Sequence, residues 1–190
     1  MKDLYFSVDV EADGPVPGPY SMLSFGLAVA GGHDGSAFTA VDPAENTFYA
    51  ELRPISEEFV PEALAVSGLD RGRLAREGQE PERAMNAAVK WITGQAQGAS
   101  PVFVAYPLGF DWMWMYWYFV RYAEKGSPFG HSRCLDVKTL YAAKAGAPIT
   151  GATKRRMPRH LLSARPHTHN ALDDAIEQAE LFQRIMQWKP

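Results

Sequence analysis

The chain has 190 residues, of which 46% are hydrophobic and 22% charged, and its formal net charge is −3 at pH 7. This length and hydrophobic content predict a single domain over residues 1–190 with a full core. The one cysteine, Cys134, excludes an internal disulfide and predicts a cytoplasmic location, and the prolines and glycines in the uncharged stretch 91–110 exclude a membrane span.

The predicted elements begin with strands and then alternate between helices and strands. The strands are predicted over residues 4–11, 20–31, 46–53 and 101–106. The helices are predicted over residues 80–97, 110–124, 136–145 and 169–187. Residues 146–168, rich in Gly, Pro and basic groups, form one long connection. This order predicts an α/β fold, with antiparallel N-terminal strands, later parallel strands and helices on both faces of a mixed sheet.

Two carboxylates share one face of the first predicted strand. Side chains alternate along a strand, so Phe6, Val8 and Val10 face one way and Asp9 and Glu11 the other. Such a pair can share a divalent cation, whereas without one the two charges repel each other. A surface strand with two solvated acids also fits this Asp-x-Glu pattern.

Another acidic residue opens the aromatic helix predicted over 110–124. Asp111 follows a buried strand and Phe110, a position that also suits an ordinary helix cap or a partner of the helix dipole. The aromatic run after it is apolar all round, which predicts a largely buried helix. Trp114 and Tyr118 lie on the helical face of Asp111, so they are predicted to border a cleft.

The last predicted helix begins beside a histidine and an acid. Its apolar stripe, which includes Leu172, Ala175 and Phe182, predicts that it docks on the core. Asp174 lies off this stripe, either solvated or in a cleft at the helix start. His169 precedes Asp174 by five residues, close enough to reach the same cleft.

A basic stretch in the long connection leads into this third motif. It consists of Lys154, Arg155, Arg156 and Arg159. Positive side chains in such a loop could bind the phosphate backbone of a nucleic acid. A loop that is simply exposed to solvent explains them equally well. The negative net charge does not argue against an anionic partner, because the four acids of the motifs alone contribute −4.

In this order and context, the three motifs resemble those of the DEDDh 3′–5′ exonucleases. This family has a ribonuclease H-like fold and includes ribonuclease T and the proofreading subunit of bacterial DNA polymerase III. Its first motif, Asp-x-Glu at the end of strand one, matches Asp9 and Glu11. Its second, an Asp preceded by Phe, matches Asp111, and its third, a His followed five residues on by Asp, matches His169 and Asp174. The resemblance covers nearly the whole chain.

The resemblance implies a metal-dependent nuclease. Two Mg²⁺ or Mn²⁺ ions would be held by the family's four carboxylates, Asp9, Glu11, Asp111 and Asp174. His169 would act as the general base on the attacking water. The reaction would release 5′-mononucleotides from the 3′ end of single-stranded RNA or DNA. The basic stretch, together with Trp114 and Tyr118, would contact the strand.

The chain departs from the family at two places that help to hold the terminal nucleotide. Ala12-Asp13-Gly14-Pro15 stands where many members have Thr-Gly, and Ala105-Tyr106-Pro107 stands where many have His-Asn. The resemblance therefore implies the metal ligands but not the choice of substrate. RNA and DNA stay equally open, since discrimination rests on a 2′-hydroxyl contact that no motif marks.

Several alternatives remain beside the polymer exonuclease. The chain could be a phosphodiesterase that acts on dinucleotides or small nucleotides, or a catalytically weak nucleic-acid-binding relative. His167-Thr-His169 could be a zinc pair of a metal-dependent amidohydrolase, but that barrel fold typically needs about 250 residues, so the chain is too short. A homodimer is compatible with the sequence.

Overall fold

A mixed sheet of six strands organises the structure, a computed structural model that describes residues 2–190. The strands are β1 (Asp3–Ala12), β2 (Met22–His33), β3 (Phe38–Ala40), β4 (Thr47–Glu51), β5 (Ser100–Ala105) and β6 (Cys134–Asp136). β1 runs antiparallel to β2 and parallel to β5, and β5 runs parallel to β6. β3 and β4 both pair antiparallel with the outer edge of β2. The predicted α/β architecture with a mixed sheet is confirmed.

Six helices accompany this sheet. They are α1 (Pro61–Ser67), α2 (Arg71–Glu77), α3 (Pro81–Ala96), α4 (Leu108–Tyr122), α5 (Val137–Ala145) and α6 (Ala171–Gln187). The four predicted helices are present, with ends shifted by at most two residues. The prediction missed α1 and α2, of seven residues each, and β3 and β6, of three residues each. The long connection before α6 is also present and contains three short 3₁₀ turns.

Two hydrophobic clusters cover the two faces of the sheet. On one face Phe6, Val8 and Val10 of β1 pack with residues of α3 and α4. On the other face Tyr5 of β1 and Val104 of β5 pack with residues of α5 and α6. The alternation of β1 therefore sends its odd-numbered side chains toward the face on which α6 lies. Within residues 2–190, no helix combines the length and hydrophobicity that crossing a bilayer requires.

Helix α6 approaches the sheet closely at its N-terminal end. It packs on β2 and β1, and its first residues lie directly over Gly26 of β2. A Cβ atom on Gly26 would stand only 2.4 Å from the carbonyl oxygen of Ala171. Gly26 is also the residue that pairs with Asp9 of β1. The absence of a side chain at this position thus sets the distance between the start of α6 and the acidic end of β1.

Candidate active site

Carboxylates from three separate elements meet where β1 ends. Asp9 and Glu11 come from β1, Asp111 from the first turn of α4 and Asp174 from the first turn of α6. Oxygens of Asp9, Glu11 and Asp174 lie within 4.8 Å of one another. Asp111 is close enough to raise the pKa of Asp9 through its charge. The fold therefore brings together all four acids of the three motifs.

Asp111 is held in place by the backbone of β1. Its Oδ1 atom accepts a hydrogen bond of 3.1 Å from the N–H of Val10, and its side chain is buried. The N–H of Val10 is not used in pairing with β5, because the parallel pairing of β1 with β5 stops at Ser7. The start of α4 is fixed in turn by Asp136, whose Oδ2 atom accepts the N–H of Leu108 at 2.7 Å. Asp136 also caps α5, so one side chain orders two helix starts.

Asp174 is enclosed by the loop that precedes α6. The backbone N–H groups of Thr168 and His169 donate to its Oδ1 and Oδ2 atoms at 2.9 and 2.8 Å. His167 places Nδ1 at 3.1 Å from the same Oδ1 atom. His169 adopts a left-handed conformation with φ of 57°, which turns the chain around the carboxylate. The His169 side chain is exposed to solvent beside Asp174.

Burial and mutual repulsion favour the protonated forms of three carboxyl groups, those of Asp9, Glu11 and Asp111. Burial raises the pKa of Asp111 to about 8 against the opposing hydrogen bond from Val10. Burial and then the charge of Asp174 raise the pKa of Glu11 to about 7. The pKa of Asp9 is also raised well above its usual range, first by burial and then by Asp111. Because four hard oxygen donors gathered in this way need positive charge to ionise together, the residues fit a site for Mg²⁺ or Mn²⁺.

A glutamine that the sequence did not single out fixes α6 against the sheet. Gln178 Nε2 donates to Ser7 Oγ at 2.9 Å and to the carbonyl of Val8 at 3.0 Å. Its Oε1 atom accepts the N–H of Tyr106 at 2.6 Å. Gln178 follows Asp174 by four residues and shares its helical face, which is the signal that could have identified it. It is a buried positioning residue one turn beyond the acidic site.

The predicted contact of Trp114 and Tyr118 with a strand is wrong. Both side chains are fully buried in the core, and the Tyr118 hydroxyl accepts the N–H of Met22 at 2.8 Å. The physical reason lies in the face that they share with Asp111. That face points at β1, so residues one and two turns further along it pack under the sheet. Phe110, which is 40% exposed, is the aromatic residue of α4 at the rim.

The basic stretch divides into one paired residue and three exposed ones. Lys154 forms an ion pair with Glu177 of α6, and its Nζ atom lies 5.5 Å from the centre of the Tyr106 ring. It is close enough to the acidic site to lower the pKa of Asp9 in part. The side chains of the other three residues are exposed; these are Arg155, Arg156 and Arg159.

An apolar hollow of about 460 Å³ opens beside Glu11. Its walls are formed by Ala12, Gly14, Pro15, Val60, Ala63, Val66 and Phe110. It was not predicted, because its far wall belongs to α1 and to Val60, the residue before that helix. An apolar hollow with a carboxylate at its edge can accept a flat hydrophobic group whose other end is anionic and metal-bound.

Asp13, one of the departures from the family motif, attaches this wall to β1. Its fully buried carboxylate accepts hydrogen bonds from the N–H of Ser21 at 2.6 Å and from Nε of Arg71 at 2.9 Å. The Asp13 carbonyl accepts the N–H of Val60 at 2.7 Å. Arg71 also donates to the carbonyl of Ser56. The residue that replaces the family's usual motif thus has a structural role behind the hollow.

The chain is similar to several nucleases. No family model matches it. It is 36% identical over 185 residues to the 3′–5′ DNA exonuclease Cap18 of Escherichia coli, a match that covers 97% of this chain and 92% of that protein. Among solved structures, the nuclease domain of 3′hExo, described as a DEDDh family member bound to rAMP, has a TM-score of 0.70 at 14% identity and covers 98% of this chain and 92% of that one.

Cell-death related nuclease 4 has a TM-score of 0.67 at 12% identity, over 96% of this chain and 62% of that one. Pop2p of S. pombe, solved with Mg²⁺ and Mn²⁺ bound, has a TM-score of 0.62 at 16% identity and covers 95% of this chain and 82% of that one. At these identities the solved structures show a shared fold.

Proposed function

The chain belongs to the DEDDh family of metal-dependent 3′–5′ exonucleases, and we propose that it removes nucleotides one at a time from the 3′ end of single-stranded DNA with two divalent cations. The observation that carries the proposal is the convergence of four carboxylates and one histidine from β1, α4 and the start of α6. The alternative of a catalytically weak relative loses its support because each of the five positions carries the family's residue type.

The four carboxylates are the proposed ligands. Asp9 is central among them, because its pKa responds to the charges of all three other acids, and it would hold metal together with them. When bound, the ions neutralise the phosphodiester, lower the pKa of a bound water and stabilise the leaving oxygen. Asp111 keeps its second oxygen for this role while Oδ1 remains hydrogen-bonded to Val10. The hydrogen bond from Val10 thus fixes the proposed ligand of α4 against the strand that carries Asp9 and Glu11.

His169 is the proposed general base. Its ring is exposed beside Asp174, and its backbone N–H is fixed by the Asp174 carboxylate. A neutral imidazole nitrogen in this position takes the proton of the attacking water and releases it to solvent after the bond has broken. The 3′-terminal base would lie in the apolar hollow beside Glu11, against the exposed edge of Phe110.

The proposed substrate is DNA, because the relative at 36% identity is named a DNA exonuclease. The exposed arginines of the basic stretch favour a polymer over a dinucleotide, since a dinucleotide has too few phosphates to reach them. A phosphodiesterase on small nucleotides is the competing outcome. The single domain over 1–190, the homodimer and the cytoplasmic location stay predictions of the sequence.

The test is hydrolysis of 5′-labelled single-stranded DNA, with RNA of the same sequence, duplex DNA, a circular single strand and a dinucleotide in parallel. In Mg²⁺ or Mn²⁺ we expect a ladder that shortens from the 3′ end of the linear strand, no cut in the circle and no reaction in excess EDTA. Cleavage of the circle, or full activity in EDTA, contradicts the exonuclease. Fast hydrolysis of the dinucleotide with a slow polymer reaction favours the phosphodiesterase.

Adjacent aspartates on α6 provide a matched pair of variants. Asp174→Asn and Asp9→Asn should abolish hydrolysis while the protein stays folded, since each removes a proposed ligand. Asp173→Asn should keep most of the activity, because Asp173 is exposed and falls outside the acidic group. If Asp173→Asn is the inactive protein of the pair, the assignment of the third motif is wrong.

A further inference from the structure

Two histidines of the loop before α6 form a second group of possible ligands with Asp174, the one member that it shares with the four carboxylates. Atoms of His167, His169 and Asp174 lie within 4.8 Å of one another. We propose that these three residues bind one Zn²⁺ ion, and that this ion inhibits the nuclease. The inhibitory part rests on the proposed function, whereas the binding part does not.

The distances in this trio suit a small tetrahedral ion. Nδ1 of His167 and Oδ1 of Asp174 are 3.1 Å apart. Zinc bonds of about 2.0–2.1 Å at tetrahedral angles separate two ligand atoms by about 3.3 Å, so this pair already stands at ligand spacing. The rings of His167 and His169 have centroids 4.4 Å apart. Both rings are exposed, so a rotation of the His169 side chain can complete the third bond without moving the core.

The backbone of the loop is already ordered around the shared carboxylate. The N–H groups of Thr168 and His169 each donate to one oxygen of Asp174. The left-handed turn at His169 closes the loop and leaves the two histidine rings side by side. Because two hydrogen bonds and the left-handed turn already fix this backbone geometry, an ion would have little left to order when it binds.

The ligand types separate this site from the proposed magnesium site. Two imidazoles and one carboxylate, with a fourth position open to water, suit Zn²⁺, whereas a set made only of carboxylates suits Mg²⁺ or Mn²⁺. In the absence of metal, Nδ1 of His167 faces the Asp174 oxygen in the position of a proton donor. With the ion at Nδ1, the neutral ring would keep its one proton on Nε2.

Inhibition follows from two shared residues. Zinc would occupy the imidazole nitrogen of His169, which then cannot accept a proton from water. It would also engage Asp174, which the proposed magnesium site needs. His167 is the one member of the trio that belongs to the zinc site alone, and therefore it is the residue to change.

Binding is tested first, on metal-free protein with Zn²⁺ alone by calorimetry, and with Co²⁺ by visible absorption as a report of tetrahedral geometry. Wild type should bind one ion with the absorption of tetrahedral Co²⁺, apart from any ion that the four carboxylates take up. His167→Ala should bind it more weakly by roughly tenfold or more, since even the loss of an outer partner of a ligand typically costs about 10–100-fold. The control is His160→Ala, an exposed histidine of the same connection outside the trio, which should bind as wild type does.

Asp9→Asn distinguishes the trio from the carboxylate site. It should retain zinc binding, because the trio is intact. Equal binding by His167→Ala and wild type, or loss of binding in Asp9→Asn, overturns the proposal and places the ion among the carboxylates. These binding measurements do not depend on hydrolysis. If the protein has no nuclease activity, the proposed function is refuted, and the zinc site is still tested by the binding measurements.

Inhibition is tested by titrating Zn²⁺ into the Mg²⁺-dependent reaction, with each protein's rate normalised to its own zinc-free value. The zinc concentration that halves the rate should be roughly tenfold higher or more for His167→Ala than for wild type and His160→Ala. Identical zinc sensitivity in all three proteins refutes inhibition through this site.

Discussion

Replacing Gly26 by Ala should disable the nuclease without changing any of the proposed metal ligands. The new Cβ would stand 2.4 Å from the Ala171 carbonyl oxygen and 2.5 Å from the Leu172 Cα, whereas ordinary contacts begin near 3.4 Å. Both neighbours are backbone atoms and cannot rotate away. The start of α6 must therefore rise from the sheet by about 1 Å, and Asp174, in the first turn of α6, must move with it.

The displacement sets the size of the effect. A misplacement of about 1 Å can cost about 10²-fold in rate, and forcing extra atoms into a packed contact typically costs about 1–3 kcal/mol of stability. For a domain of this length such a loss lowers the melting temperature by about 2–12 °C. We therefore expect turnover to fall by about two orders of magnitude at temperatures where the variant is still folded.

The assay is nucleotide release from labelled single-stranded DNA in Mg²⁺, beside a thermal melt of the same preparation. Gly94→Ala is the matched control, because Gly94 lies in α3 and its Cβ would meet no atom within 4 Å. That substitution should keep full activity and slightly raise the melting temperature, since Ala is the better helix former. A Gly26→Ala protein with wild-type turnover would show that the site does not depend on this close approach.

Three further predictions concern the base, the strand contacts and pH. His169→Ala should lower turnover by about 10²–10⁴-fold while Mg²⁺ binding measured by calorimetry is retained. If His167→Ala loses turnover and His169→Ala does not, His167 is the base. Changing Arg155, Arg156 and Arg159 together to Gln should flatten the dependence of log affinity for single strands on log salt concentration by about 2, since each phosphate contact contributes about 0.7. Hydrolysis of a dinucleotide should hardly change. Because the folded-state pKa values of Glu11 and Asp111 are raised to about 7 and about 8, the folded protein binds more protons than the unfolded chain between pH 4 and 8. Its urea midpoint in EDTA should therefore fall as pH rises through that range, and excess Mg²⁺ should restore it at pH 8; equal midpoints at pH 5 and 8 would contradict the burial of these acids.

The sequence was sufficient for the long elements, because they depend on local patterns, and its three motifs identified the four acids that the fold brings together. The alternation of β1 and the apolar stripe of α6 are imposed by burial on one face, so periodicity reveals them. The short strands β3 and β6 have three residues each and pair only because tertiary neighbours place them beside β2 and β5. Their own residues carry too little signal to predict them.

Long-range contacts account for the remaining errors. Helical periodicity shows that Trp114 and Tyr118 share a face with Asp111, but it does not show that this face points at the sheet. Gln178 and Asp13 are buried polar residues whose partners lie 171 and 58 positions away in the chain. Such contacts are invisible until the topology is known.

The attachment of α6 to β1 also decides when during synthesis the nuclease can first act. The hydrogen bond between Gln178 and Ser7 joins residues 171 positions apart in the chain. Such contacts form late in folding, because the entropy cost of closing the loop comes before the contact contributes any stabilisation. A nascent chain that already contains Asp9, Glu11 and Asp111 still lacks the proposed ligand and the proposed base in the segment around α6. With these assignments, nucleolytic activity can begin only when the last helix has docked on the sheet.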